Sequence, residues 1–198
     1  MDHPIAQTPI AQALWTARLD GRVIARDADG APASTADSYA AQTAQIALAN
    51  SKQIGWKLGA TSTKSLELLG LAESFIGPLF EQFDYQSGGD VPIIPAHGPC
   101  IESEFSVVLG AALPARPEPY ARADIDAAVA GVCPSFEIVG CRIAGGPAGA
   151  GHLLIADGGV NAASVFGTPV ADWASFDLRD HPVRLSINGQ EVAQGSNA

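Results

Sequence analysis

The spacing of apolar residues changes repeatedly along the chain, and each change marks an element. Ile5, Ile10, Leu14 and Trp15 fall toward one side of a helix over Ile5 to Arg18, because residues three and four apart share a helical face. Asp20-Gly21 ends it, and Asp27 to Ser34, rich in Ala, Gly, Pro and Asp, reads as a loop. Thr35 can cap a second helix, with Asp37 in its first turn, running to about Asn50. At Gln53 the pattern shortens. Gln53 to Gly59 is glycine-bounded and strand-like, Thr63 to Leu69 a helix between loops, and Phe75 to Pro99 a run of short strands and turns.

Ile101 to Gly110 is the clearest strand, with Ile101, Phe105, Val107 and Leu109 on a face expected to be core. Ile125, Ala128, Val129 and Val132 predict a helix of about three turns. Ser135 to Ile143 reads as a strand, Gly145 to Gly151 as a flexible loop, and Ala163 to Gly167 as a strand. Val183, Leu185 and Ile187 alternate with polar residues before Asn188-Gly189, the pair that favours a type I′ hairpin turn. A short return strand, roughly Gln190 to Gln194, follows. The class is α+β with mixed sheets. The helical segment 1–52 is expected to pack on a catalytic domain, 53–198, as one structural domain.

Composition narrows the functions. The 198 residues suit one core, with 47% apolar and 16% charged positions. No apolar run approaches the ~20 residues that span a bilayer. The first eleven residues lack the basic flank and apolar stretch of a secretory signal, so no membrane partner and a cytoplasmic location are expected. A net charge of −10 argues against nucleic acid. It does not exclude an anionic substrate, because a bound cation can invert the local field. His97 and Cys100 could open a zinc site with Cys133 and Cys141, but the last two are eight apart and lack paired-ligand spacing. Inert buried thiols are the expectation for the three cysteines. His3, His97, His152 and His181 form no metal pair by spacing and are expected to be surface or structural.

Three glutamates carry the candidate chemistry. Glu102 and Glu104 are two apart on a strand and share a face. Their repulsion can be relieved by water, on an ordinary wet face, or by a hard cation such as Mg²⁺ or Mn²⁺. Glu137 sits in the apolar run Phe136-Glu137-Ile138-Val139. Burial there demands a partner, either a base such as Arg142 or a shared cation. Lys57 stands between Trp56 and Leu58. It is a strand lysine turned to solvent or, if desolvated toward the neutral amine, a base beside a substrate. Gly149-Ala150-Gly151 lacks the rest of a dinucleotide fingerprint, and no phosphate loop or nucleophile elbow is present.

Several stretches together resemble the fumarylacetoacetate hydrolase superfamily, nearest its 2-keto-4-pentenoate hydratase branch. They are Gly55-Trp56-Lys57-Leu58-Gly59-Ala60-Thr61-Ser62, Gly77-Pro78-Leu79-Phe80, Ile101-Glu102-Ser103-Glu104-Phe105, Pro134-Ser135-Phe136-Glu137-Ile138-Val139 and Ile155-Ala156-Asp157. The resemblance implies a β-rich roll or sandwich of mixed sheets with peripheral N-terminal and middle helices. It implies Mg²⁺ (or Mn²⁺) on Glu102, Glu104 and Glu137, Lys57 as the catalytic group, and substrate contacts from Gly59, Thr61, Ser62, Leu79 and Asp157. It further implies a homo-oligomer built from dimers, working in aromatic compound catabolism.

The implied reaction is hydration of a 2-hydroxy-2,4-dienoate or 2-oxo alkenoate to a 4-hydroxy-2-oxo acid. The alternatives are a 4-oxalocrotonate-type decarboxylase, an acylpyruvate-type carbon–carbon hydrolase, and an inactive metal- and ligand-binding paralogue or subunit partner. Phe75 stands where many hydratases of the branch carry an acid, and Gly158 where relatives often have Asn. Relatives continue for several strands past the segment matching Gly195-Ser196-Asn197, so an incomplete C-terminal end is expected, with an open edge or exposed apolar face on the sheet containing Val183 to Ile187.

Overall fold

The structure is a computed structural model that describes residues 8–196. His3 and Ile5, named above, lie outside the described residues. The chain divides into two units, Met1–Glu102 with Glu137–Ser164, and Ser103–Phe136 with Val165–Ala198.

The first unit opens with α1 (Pro9–Asp20), which begins on a proline and ends at Gly21 in the left-handed region, φ 79°. Helix α2 (Thr35–Leu48) follows. Its cap is Ser34 rather than Thr35: the Ser34 hydroxyl accepts from the Asp37 N–H, leaving Thr35 as the first helical residue. Strands β1 (Gln53–Gly59) and β2 (Phe75–Phe80) pair antiparallel, with Lys57 opposite Gly77. Between them α3 (Thr63–Leu69) is closed by a Ser62–Ser65 capping box.

Past the loop at Gly145–Gly151 the sequence reading missed α5 (His152–Ala156), whose Leu153, Leu154, Ile155 and Ala156 are all buried. Its length is too short for a visible period. The carbonyls at its C-terminal end, left without helical partners, are taken up by α2: Gln42 Nε2 donates to Ile155 O at 2.6 Å and Gln45 Nε2 to Ala156 O. That explains two buried glutamines. The core joins Ile10 and Leu14 of α1, Ala41 of α2, Phe75, Val139, Ile143 and the α5 residues. A second cluster sets Trp15 edge-on to Phe80 at 5.5 Å.

Strand β3 (Asp84–Gln86), β6 (Asn161–Phe166), β5 (Val129–Val139) and β4 (Cys100–Leu109) are hydrogen bonded in that order. The middle helix is shorter than expected. Helix α4 (Arg122–Ala128) stops where β5 begins, so Val129 and Val132 belong to the strand. β-Branched residues there fit either period, and pairing decides. The face of β4 expected to be core is not: Ile101, Val107 and Leu109 are half exposed, because among the described residues too little packs against that face to bury them. Cys133 and Cys141 are buried free thiols; Cys100 is exposed, against expectation.

In the second unit β7 (Val183–Ile187) and β8 (Gln190–Gly195) form an antiparallel hairpin. Asn188 and Gly189 both take positive φ, 52° and 77°, as a type I′ turn requires. Ile187 and Val192 are exposed. Among the described residues no helix is long and apolar enough to cross a membrane.

Candidate metal centre

Strand alternation places the three glutamates. Glu102 and Glu104 share a face of β4, and Glu137 lies on β5, next to β4 in the sheet order. One carboxylate oxygen from each lies within 4.8 Å of the others. Exposure grades across the cluster: Glu102 exposed, Glu104 intermediate, Glu137 buried at 2%.

Glu137 pairs with Lys57, not with Arg142. Strand β1 turns its apolar Ile54, Trp56 and Leu58 outward and its lysine inward. Lys57 Nζ stands 3.0 Å from Glu137 Oε2 and donates to Gly159 O at 3.1 Å. Asn161 Nδ2 donates to Glu137 Oε1 at 3.1 Å. Burial pushes the Glu137 carboxyl above its ordinary value; the Lys57 ammonium opposes that and Glu102 adds to it. Among the described residues, Oε2, though buried, accepts no hydrogen bond of regular geometry; the Lys57 ammonium stands beside it.

That leaves the donor set incomplete in a way a cation would complete. Oxygen-only carboxylate clusters suit hard divalent ions, and the buried Glu137 Oε2, with no regular hydrogen bond among the described residues, is the kind of oxygen a cation would take up. The residues present therefore fit such a metal.

The lysine is held by an unusual piece of backbone. Gly158, Gly159 and Val160 take consecutive positive φ of 67°, 68° and 59°, a region that β-branched residues avoid. The turn aims Gly159 O at Lys57. A side chain at Gly159 would meet the Phe75 ring at 2.3 Å, and one at Gly59 would meet the same ring at 2.1 Å. Phe75 thus lies between two glycines, with Lys57 Nζ 5.6 Å from its ring centre. Phe75, noted above as standing where many hydratases of the branch carry an acid, thus turns an aromatic ring toward the lysine.

The other residues named from sequence are placed differently. Gly59 and Leu79 are buried on β1 and β2. Thr61 is exposed, and the exposed Ser62 is engaged in capping α3. Asp157, 1% exposed, is joined to Arg142, whose Nε donates to Oδ1 at 2.8 Å. His97 is a structural histidine, its Nε2 2.9 Å from Arg22 O. Gly159 and Asn161 were not singled out from sequence. Asn161 offered the signal that marked Glu137, one polar side chain in a small apolar run.

No protein-family model matches the chain. A 2-keto-4-pentenoate hydratase of Paraburkholderia xenovorans is 30% identical over 98% of this chain and 73% of its own length. A 2-hydroxyhexa-2,4-dienoate hydratase of Comamonas testosteroni is 29% identical over 93% of this chain and 71% of its own. Among solved structures, 4-oxalocrotonate decarboxylase from Pseudomonas putida G7, complexed with magnesium and adipate, superposes with a TM-score of 0.79 at 24% identity, covering all of this chain and 75% of that one. The mixed α/β architecture with several sheets is that of the decarboxylase, and the 30% match over nearly the whole chain settles descent: the chain belongs to the 2-keto-4-pentenoate hydratase family of enzymes, within the fumarylacetoacetate hydrolase superfamily.

Proposed function

We propose that this chain is a divalent-metal-dependent lyase that hydrates a 2-hydroxy-2,4-dienoate, or the derived 2-oxo alkenoate, to a 4-hydroxy-2-oxo acid. The observation that carries the reading is the buried ammonium of Lys57 set 3.0 Å from a carboxylate of the three-glutamate cluster. Glu102, Glu104 and Glu137 would hold Mg²⁺ or Mn²⁺, which when bound supplies positive charge against the carboxylate and 2-oxo oxygens of the substrate. Lys57 Nζ is the group placed to move a proton. Hydration forms a C–O bond from water to one alkene carbon and a C–H bond at its neighbour, and the second step needs a donor beside the substrate. Gly159 O and Glu137 hold the ammonium, and the Phe75 ring keeps water from one side of it. The roll architecture and assembly from dimers go with this reading; the exposed apolar side chains Ile101, Val107 and Leu109 support an assembled form.

One observation favours a second reading. With Phe75 in place of an acid, the side chain at that position cannot orient the attacking water. Decarboxylation of a 4-oxalocrotonate-type acid, which breaks a C–C bond, releases CO₂ and then protonates carbon, needs no such residue.

The test is an assay of dienoate, oxalocrotonate and acylpyruvate substrates with Mg²⁺, on the protein and on Lys57→Met. Loss of dienoate absorbance without CO₂ supports the hydratase; CO₂ release from oxalocrotonate supports the second reading. Lys57→Met is expected to lower turnover on the order of 10²-fold or more while Mg²⁺ affinity stays within a few-fold. Unchanged turnover returns Lys57 to a structural role, and no turnover on any substrate favours a binding protein.

A further inference from the structure

Arg18 presents a problem that the glutamate cluster does not solve. It is 6% exposed, near the end of α1, and its Nε and Nη1 have no hydrogen-bond partner among the described residues. Its surroundings are the faces of Trp15 and Phe83, with ring centres 5.8 and 5.1 Å from the guanidinium carbon. Burial, with the repulsion of Arg142, lowers its pKa to about 9, which still leaves it charged at neutral pH. The second arginine, Arg142, is 0% exposed and fully engaged by Asp157, Gly140 O and Asn161 O. Two buried carboxylates, Asp157 and Glu137, act on the Arg18 charge, but the first is ion-paired with Arg142 and the second with Lys57, so Arg18 has no ion pair of its own among the described residues.

A cavity of about 170 Å³ opens beside it, ample for several waters or a small organic molecule. Arg18 and Arg142 line it together with Phe83, Ile93 and Ile138. The described residues that line it include none of Glu102, Glu104 and Glu137, so the pocket is distinct from the glutamate cluster, although the Glu137 charge is felt at Arg18. Its walls are mainly apolar and its charge is positive. An inorganic ion would leave the apolar wall unused, and a neutral molecule would leave the guanidinium unanswered.

We propose that this pocket is a second ligand site that binds a small organic carboxylate, its head on the Arg18 guanidinium and its hydrocarbon tail against Phe83, Ile93 and Ile138. A carboxylate accepts charge-assisted hydrogen bonds from guanidinium better than any neutral group. The apolar lining selects for a tail, as small-molecule pockets with few polar groups do.

The test is calorimetric titration of the full chain with butyrate, butyramide and inorganic phosphate. The protein is kept metal-free with chelator, so that the glutamate cluster repels anions and failure of the proposed metal chemistry leaves the outcome untouched. Butyrate should bind one per chain, at least tenfold tighter than butyramide or phosphate. Arg18→Met should weaken butyrate at least tenfold. Because that variant removes a buried side chain, Ile93→Trp supplies an independent check: Ile93 lies on the exposed rim, and the larger ring should fill the cavity and weaken butyrate by a similar factor without loss of folding. Absence of saturable butyrate binding overturns the proposal, as does butyramide or phosphate binding as tightly as butyrate. Ile93→Trp binding butyrate like the parent overturns it as well.

Discussion

The two units differ in how far their apolar residues close over one another. In the first, aliphatic side chains close over one another: Ile10, Leu14, Leu154 and Ile155 are all 2% exposed or less. In the second, apolar residues on β4, β7 and β8 face outward, with Val107 57% and Val192 53% exposed. The charges follow the same division. Lys57, Glu137, Arg142, Asp157 and Arg18 are buried in the first unit, whereas the ion pairs Arg116–Asp124 and Arg122–Asp126 of the second lie on its surface. A closed apolar core is what makes a buried ion pair both strong and costly to break. The first unit has the surroundings for chemistry that depends on desolvated charge.

The contrast predicts a graded set of responses. Asp157→Ala removes the carboxylate that faces two buried arginines, and should cost about 3–5 kcal/mol in urea unfolding. A loss under about 1 kcal/mol would mean that water reaches the arginines and that the first unit is not closed. Mg²⁺ at a hundredfold excess over its dissociation constant should add about 2.7 kcal/mol, seen as a rise in Tm that Glu137→Ala abolishes. A rise of the same size in that variant would place the metal elsewhere. At the small end, Val192→Ala on the exposed hairpin should change stability by less than about 0.5 kcal/mol. A loss of several times that would show that β8 is covered in solution.

How much of this could be read from the chain depends on range. Local chemistry was legible in the Asn188-Gly189 turn, which needs two positive φ values; the Ser62 cap of α3 is equally local, yet Ser62 was taken only for a substrate contact. The pairing of Glu102 with Glu104 follows from the two-residue period of a strand. The place of Glu137 beside them was an inference from one charge in an apolar run. Its partner was not legible. Arg142 was the base named for it, and only the fold gives Glu137 to Lys57 and Arg142 to Asp157. The exposed face of β4 was misread because alternation shows which residues share a face and not what lies against it. Arg18 carried no sequence signal, since an arginine in the last turn of a helix is an ordinary choice for the helix dipole.

The Lys57 ammonium is held on two sides, by the carbonyl of Gly159, to which it donates, and by the carboxylate of Glu137, 3.0 Å away. What remains of it is open to one side. A carbon that received its proton from this ammonium would receive it from one direction only. Turnover in deuterium oxide should therefore leave a product labelled with a single handedness at that carbon, a stereochemical signature written by a peptide carbonyl that never touches the substrate.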